Sequence, residues 1–136
     1  TGVQTCALPI YIDRFQTMAK SVAACQQPEG YWTRSMLDPE HAPGPETSGT
    51  AFFAYGLLWG MNNGLLDKAV YQPVVMKAWN YLTTVALQPD GRIGYVQPIG
   101  EKAIPGQVVD ANSTANFGVG AFLLAACEMV RFLNAD

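Results

Sequence analysis

Hydrophobic residues recur along this chain in two distinct patterns. In the first, Ile12, Phe15, Met18, Ala19, Val22 and Ala23 return at steps of three and four, with Asp13, Arg14, Gln16 and Lys20 between them. That spacing lines one face of a helix, so it predicts an amphipathic helix over 11–27, stopped by Pro28 and Gly30. The pattern resumes over 69–87, with Val70, Val74, Val75, Ala78, Leu82 and Val85 inward and Gln72, Lys77 and Asn80 outward. Pro73 falls in the opening turn of that helix, where a missing amide is tolerated, and Pro89 and Gly91 end it. The second pattern has no polar face. Ala51 to Trp59 (AFFAYGLLW) and Phe117 to Ala126 (FGVGAFLLAA) are apolar on every side. Helices of that kind are buried all round, and they are expected over 49–62 and 115–133.

The order is therefore amphipathic, buried, amphipathic, buried, and a repeat runs through it. Gln27-Pro28-Glu29-Gly30 returns as Gln88-Pro89-Asp90-Gly91, and Leu57-Leu58 returns as Leu123-Leu124. Each unit is an outer helix, a Gln-Pro-acid-Gly turn, an aromatic excursion and an inner helix. Such units cannot enclose their own inner helices, whereas a closed ring of helix pairs can. The expected fold is all-α: part of an α/α barrel of helix pairs, with about four helices and a small hairpin loop.

Loop lengths distinguish the two ends of that ring. Inner-to-outer links are short, as in Met61 to Asp67, while outer-to-inner links are long: Gln27 to Ser48 and Gln88 to Ser113. Long loops in compact domains are commonly functional. Arg92-Ile93-Gly94-Tyr95-Val96, after Asp90-Gly91, reads as one short strand of a hairpin. The long loops share a rim with the N-termini of the inner helices, whose free amides suit anionic or hydroxyl-rich ligands.

Composition narrows the class. Hydrophobic residues make up 49% of the chain and charged residues only 14%, against roughly a quarter charged in an ordinary soluble domain. A chain this apolar has either a generous core or surfaces that pack against something else. The net charge of −3 offers no basic field for a nucleic-acid backbone. Cys6, Cys25 and Cys127 lack metal-ligand spacing, and Cys25 and Cys127 read as small buried residues of a reducing, cytoplasmic setting. Gly56, Gly60, Asn62 and Asn63 punctuate the most apolar stretch, so no membrane-spanning run is expected.

Residues 1–10 (TGVQTCALPI) stand apart. They have neither an amphipathic period nor the layout of a signal peptide, and they look like a sequencing adapter translated in frame. The expected domain is then 11–136, continuing a reading frame interrupted upstream, with any export signal lost.

Candidate chemistry gathers at the starts of the inner helices. Pro45-Glu46-Thr47-Ser48-Gly49-Thr50 opens the first, with Thr47 or Ser48 as its expected cap and Glu46 facing the barrel mouth. Asp110-Ala111-Asn112-Ser113-Thr114 opens the second in the same way; Asn112-Ser113-Thr114 also fits a glycosylation sequon. Trp59 and Trp79 lie within helices and read as core. Trp32, in a rim loop, is the better candidate for stacking on a sugar. His41 has no partner motif. No phosphate cradle, CxxC, HExxH or GxSxG occurs, and no pair of carboxylates is placed for direct glycoside displacement.

The blocks Gly30-Tyr31-Trp32, Ser35-Met36-Leu37-Asp38-Pro39, PGPETSGTAFFAYGLLWGMNNGLLD, DGRIGYVQPIG and FGVGAFLLAACE resemble glycoside hydrolase family 105. These are the unsaturated rhamnogalacturonyl hydrolases, related to the unsaturated glucuronyl hydrolases of family 88. The resemblance runs from about Tyr11 to the end. It implies the C-terminal third of a six-pair α/α barrel. It also implies an enzyme that removes the unsaturated uronic acid left on oligosaccharides by pectin-degrading and related lyases. In that chemistry an aspartic acid protonates the C4=C5 double bond, water adds at C5, and the hemiketal collapses. No metal or organic cofactor is implied, and the partner is an oligosaccharide.

The family's catalytic aspartate and its Arg-Gly-Asn-Gly-Trp segment have no counterpart here, so no catalytic residue is assigned and this chain alone is expected to be inactive. The resemblance assigns substrate-binding positions to Trp32, Glu46, Ser48 and Thr50, with Asn112 and Ser113 at a rim where NSTANF departs from the family's acidic and aromatic residues. Two rivals stand beside this reading. Gln26-Pro28-Glu29-Gly30-Trp32 is similar to the Gln-x-x-x-Gly-x-Trp repeat of terpenoid cyclases, although the aspartate-rich acid motif is absent. A helical repeat that binds carbohydrate without catalysis is the other.

Overall fold

The computed structural model describes the backbone of residues 2–100 and 102–135, with side chains from residue 8 onward. Among those residues the chain forms α1 (Gly2–Ala24), α2 (Thr47–Asn62), α3 (Lys68–Tyr81) and α4 (Asn116–Leu133). A π-helical turn, Leu82–Ala86, prolongs α3. Thr83 and Thr84 turn their hydroxyls back onto the Trp79 and Asn80 carbonyls just where that turn begins.

The helices run as two antiparallel pairs, α1 with α2 and α3 with α4, although α3 makes its larger contact with α2. Early in α1, Phe15 meets Trp59 near the end of α2 edge-on at 5.8 Å, and Gln16 Nε2 donates to Leu65 O. Late in α1, Val22 shares a crevice with Phe52 and Phe53 near the start of α2. In the second pair, Lys68 of α3 lies over the Phe132 ring of α4, while Trp79 stacks on Phe122. The inner helices α2 and α4 make the most extensive helix contact and run the same way. At their C-terminal ends Asn62 Nδ2 donates to both the backbone carbonyl and Oε2 of Glu128.

Burial follows this arrangement. Ala51, Ala54, Leu58, Val75, Ala78, Leu82, Ala121 and Ala125 have no exposed surface. Small residues at these contacts let the backbones approach, and the larger side chains fill between them.

Several expectations change on this scaffold. The first helix begins at Gly2 rather than near Tyr11, with Pro9 inside it. Cys6 has its side chain outside the described residues. The buried residues of α3 are Tyr71, Val75, Ala78 and Tyr81, with Leu82 continuing the stripe into the π-helical turn, while Val70 and Val85 face outward. Val75, Ala78 and Leu82 point inward as expected, and the bulky Tyr71 and Tyr81 are buried where Val70 and Val85 are not. Pro73 lies in the second turn of α3, not the first. The two all-apolar helices, whose full burial is expected of a closed ring of helix pairs, keep open sides within this chain, with Phe52 46% and Leu123 57% exposed. Leu57 and Leu58 are core while their repeat partners Leu123 and Leu124 face outward, because α2 is flanked by both α1 and α4 and the outer side of α4 has no such neighbour. Cys127 is exposed and Cys25 half-buried, so neither is the fully buried residue expected.

Residues 92–96 form no strand ladder; one antiparallel bridge joins Leu87 to Ile93. Finally, α4 is 18 residues long with mean hydropathy 1.4, which is long and apolar enough to cross a membrane by length and composition. It escaped notice in the sequence because Gly118 and Gly120 interrupt its run of large side chains. It also carries the Glu128–Arg131 ion pair and packs on α2.

Candidate functional site

The two long loops converge on one carboxylate. Glu46 is the N-cap of α2, and its side chain folds back over the first turn. Oε1 accepts from Ser48 N at 3.0 Å, from Ser48 Oγ at 2.7 Å and from Gln97 N at 3.2 Å. Oε2 accepts from Gly49 N at 2.6 Å. The residue is only 3% exposed. An ionised carboxylate at a helix N-terminus gains from the aligned peptide dipoles, and here every donor it meets is aimed at it. Glu46 itself therefore caps the helix, in place of the expected Thr47 or Ser48.

Thr47 is used elsewhere. Its Oγ1 lies 2.7 Å from Tyr81 Oη, and its amide donates to Tyr95 O. Thr50 joins the first long loop to the helix: Oγ1 donates to Glu46 O and accepts from Trp32 N. Glu46 N in turn donates to Trp32 O, which closes a small antiparallel bridge.

The second long loop is tied in from its other side. Tyr95 N donates to Asp110 O, Val96 N to Ser113 O, and Gln97 N to Glu46. Tyr95 sits at φ 59, a left-handed conformation unusual for a tyrosine. Such strain persists only where surrounding bonds over-determine it, and it collects at functional sites. Ser113 Oγ accepts from Asp110 N and reaches Asp110 Oδ1, while Asn112 N donates to Asp110 Oδ1. These residues make a turn instead of capping α4, whose N-cap is Ala115 with no side-chain bond.

The structure thus unites Trp32, Glu46, Ser48 and Thr50 directly, and brings Ser113 beside them through Val96 and Gln97. Asn112 is exposed on the turn, and so is His41 on its own loop. Trp32 is a correction. It is 1% exposed, its indole donates to Val22 O at 2.7 Å, and its ring meets Phe53 edge-on. Both faces are occupied, so it has none to offer a sugar and serves as the anchor of its loop. Trp59, read as core, is the more exposed of the two.

Three participants escaped the sequence reading. Gln97 supplies an amide to Glu46, Tyr81 holds Thr47, and Arg34 bonds across to Gln107 with Nη1 on Oε1 at 3.0 Å and Nη2 on the backbone carbonyl at 3.1 Å. No local pattern could have announced these, since each partner lies tens of residues away. Among the described residues no group of His, Cys, Asp or Glu is placed to hold a metal.

Burial pushes the Tyr81 phenol well above its ordinary range, with nearby Glu46, Tyr95 and Tyr31 adding to the effect and the Thr47 hydrogen bond opposing it. Below the ordinary phenol value of 10.0 the folded and unfolded forms are both protonated, and the stability is fully present. As pH rises past that value, only the unfolded chain ionises at this position, so stability falls until the folded phenol titrates. The expected slope is up to about 1.4 kcal/mol per pH unit. Urea midpoints between pH 9 and 11 should fall, and Tyr81→Phe should flatten the decline; an identical decline in both would place the effect elsewhere.

An all-helical assembly of outer and inner helix pairs, with long loops gathered where the inner helices begin, has the architecture of part of an α/α barrel. The family model of Glycosyl Hydrolase Family 88 matches residues 4–133, and the chain belongs to that family. Over 121 residues it is 42% identical to an unsaturated 3S-rhamnoglycuronyl hydrolase of Formosa agariphila, covering 89% of this chain and 31% of that protein. A protein of the same name from Alteromonas sp. is 40% identical, with 88% and 28% covered. Among solved structures, a family 88 glycosyl hydrolase from Bacteroides vulgatus is 77% identical with a TM-score of 0.87, covering 91% of this chain and 36% of that one. Another, described as a polysaccharide lyase, is 83% identical with a TM-score of 0.89, covering 94% and 36%. A possible family 105 member from Salmonella enterica, 23% identical, shares the fold with a TM-score of 0.71. The chain spans about a third of the length of its relatives. Membership of that family sets aside the terpenoid-cyclase reading.

Proposed function

We propose that this chain forms part of the substrate-bearing wall of a hydrolase that removes unsaturated uronic acid residues from lyase-generated oligosaccharides. The general acid is supplied by a part of the barrel outside these residues. The observation that carries the reading is the Glu46 cluster, which joins both long loops to the start of an inner helix in a chain 42% identical to an enzyme named for such a substrate. Within this reading Glu46 is a positioning residue. Three donors crowd Oε1 and one meets Oε2 in a side chain that is almost wholly buried, which suits holding the two loops to the helix rather than meeting substrate. The described aspartates are exposed, and none accepts a hydrogen bond from the Glu46 cluster.

The test is a graft. The matching third of the Bacteroides vulgatus relative is replaced by this chain and supplied with an unsaturated uronyl disaccharide. Hydration of the vinyl ether consumes the conjugated double bond, so ultraviolet absorbance should fall. A folded, monomeric graft that leaves the absorbance unchanged would sink the proposal. The relative described as a polysaccharide lyase favours a second reading, and the same instrument separates the two. A lyase creates the double bond by elimination, so a saturated polyuronide would give rising absorbance.

In that graft Glu46→Gln should lower stability by about 1–3 kcal/mol for each donor left facing the new amide nitrogen. Turnover should drop at least about tenfold as the Gln97 loop loses its anchor. Lower stability with unchanged kcat and KM would leave Glu46 a helix cap and nothing more.

A further inference from the structure

Four consecutive residues at the rim are fastened to four different places in the chain. Gly94 N donates to Ala86 O, Tyr95 N to Asp110 O, Val96 N to Ser113 O and Gln97 N to Glu46 Oε1. The carbonyl of Tyr95 accepts from Thr47 N, at the first residue of α2. A Cβ at Gly94 would strike the Ala111 backbone, and one at Gly118 of α4 would strike the Val96 side chain. Bonds and close packing together hold Tyr95 in its left-handed conformation. Two of the fastenings lead back to the end of α3. Ala86, which takes the Gly94 amide, is the last residue of the π-helical turn. Tyr81, the last residue of α3 before that turn, places its phenol 2.7 Å from Thr47 Oγ1. Both side chains are buried, and among the described residues neither hydroxyl has another hydrogen bond. The π turn closes with Leu87 N on Leu82 O, the fifth residue back, where an α-helix closes on the fourth. That wider turn changes the direction in which the Ala86 carbonyl leaves the helix. Contacts therefore run in a closed circuit: Tyr81 to Thr47, Thr47 to Tyr95, Gly94 to Ala86, and the π turn back to Tyr81. Single π turns inside helices recur at functional sites.

We infer that Tyr81 is a positioning residue for the reaction, acting through Thr47 on the strained turn from Gly94 to Gln97. The π-helical turn holds the same segment from its other side, through Ala86. An outer helix thereby sets the geometry of the rim that receives substrate. Tyr81 itself is 2% exposed, behind the first turn of α2, so it acts through its neighbours and meets no substrate. The inference rests on the hydrolase reading for the reaction whose rate is measured, whereas the coupling around the circuit does not depend on it.

The experiment is a double-mutant cycle of Tyr81→Phe and Thr47→Val. Either substitution alone leaves a buried hydroxyl without its partner, whereas the pair removes both groups together. In the graft each single variant should melt below the parent, and the pair should regain most of that loss. In all three, kcat should fall about tenfold while KM stays within about twofold. Stability then returns without turnover, which a merely structural bond would not allow. Thr47→Ser keeps the hydroxyl and should turn over like the parent. In the 136-residue chain, amide hydrogen exchange should quicken at Gly94, Tyr95 and Gln97 in the double variant, and not at Thr47 alone. Recovery of kcat together with melting temperature, a raised KM with kcat unchanged, or exchange altered only at Thr47 would each overturn the inference. An unsubstituted graft that leaves the unsaturated disaccharide untouched would count against the hydrolase reading instead. Exchange in the chain then decides by itself: faster exchange at Gly94 and Gln97 upholds the coupling, and change confined to Thr47 overturns it.

Discussion

Replacing Gly30 by alanine should be among the most damaging single changes in this chain, costing about 2–5 kcal/mol, whereas Gly91→Ala should cost only about 1–2. The two positions are the same place in a repeated turn. In the first, Gln27 N donates to Tyr31 O and Gly30 N to Gln27 O; in the second, Gln88 N donates to Arg92 O and Gly91 N to Gln88 O. Both glycines are left-handed, at φ 98 and φ 85. A side chain is therefore strained at either one. The difference lies in the surroundings. A Cβ at Gly91 meets nothing, while a Cβ at Gly30 is driven into the carbonyl of Lys77, on α3. Backbone cannot step aside as a flexible side chain can, so the turn must lift off the helix. That turn also carries Gln26, whose Nε2 bridges Gly30 O and Val74 O, and it sets the course of the Trp32 strand toward Glu46. The check is the difference between the two melting temperatures, measured in the graft. Equal losses would show that conformation alone matters there and that the turn does not rest on α3.

That comparison also shows how far the sequence could be read. The repeated Gln-Pro-acid-Gly motif was legible because a tight turn needs a left-handed residue and a fixed proline, and both leave marks in the letters. The alternation of helix types was legible for the same reason: periodicity is local. The edge of α3's buried face was not: Val75, Ala78 and Leu82 are inward as expected, but Tyr71 rather than its neighbour Val70 completes the stripe. At the site, the cluster of Glu46, Ser48 and Thr50 was visible as a helix start. Its meaning was not, because the decisive partners, Gln97 and Tyr81, come from 51 and 34 residues away. Trp32 was misplaced by a general expectation that loop residues face solvent. Here the loop turns inward, and its tryptophan satisfies its indole N–H on a helix carbonyl.

The isolated chain is expected to give no measurable hydration of an unsaturated uronyl disaccharide, while the graft turns it over. Two surfaces underlie the expectation. Met18 is 65% exposed beside a crevice lined by Phe15, Val22, Phe52 and Phe53. A second, wider hollow of about 460 Å³ is lined by Phe117, Leu123, Leu124 and Cys127, with Phe52 at the join. Contiguous apolar surface of this kind is covered in a stable protein or else drives association. In relatives about three times as long, the remaining helices are available to cover it. Without them the chain should elute as dimers or larger species, with the share of monomer falling as concentration rises. Activity should be lost for a separate reason. A positioned general acid is commonly worth about 10²–10⁴-fold in rate, and no described carboxylate is placed to act as one. Positioning by the rest of the pocket is lost as well. Substituting Leu123 and Leu124 by glutamate should restore monomer without restoring turnover, which separates the two causes. Turnover by that monomer would mean that the acid lies within these residues, and would overturn the assignment of Glu46 as a positioning group.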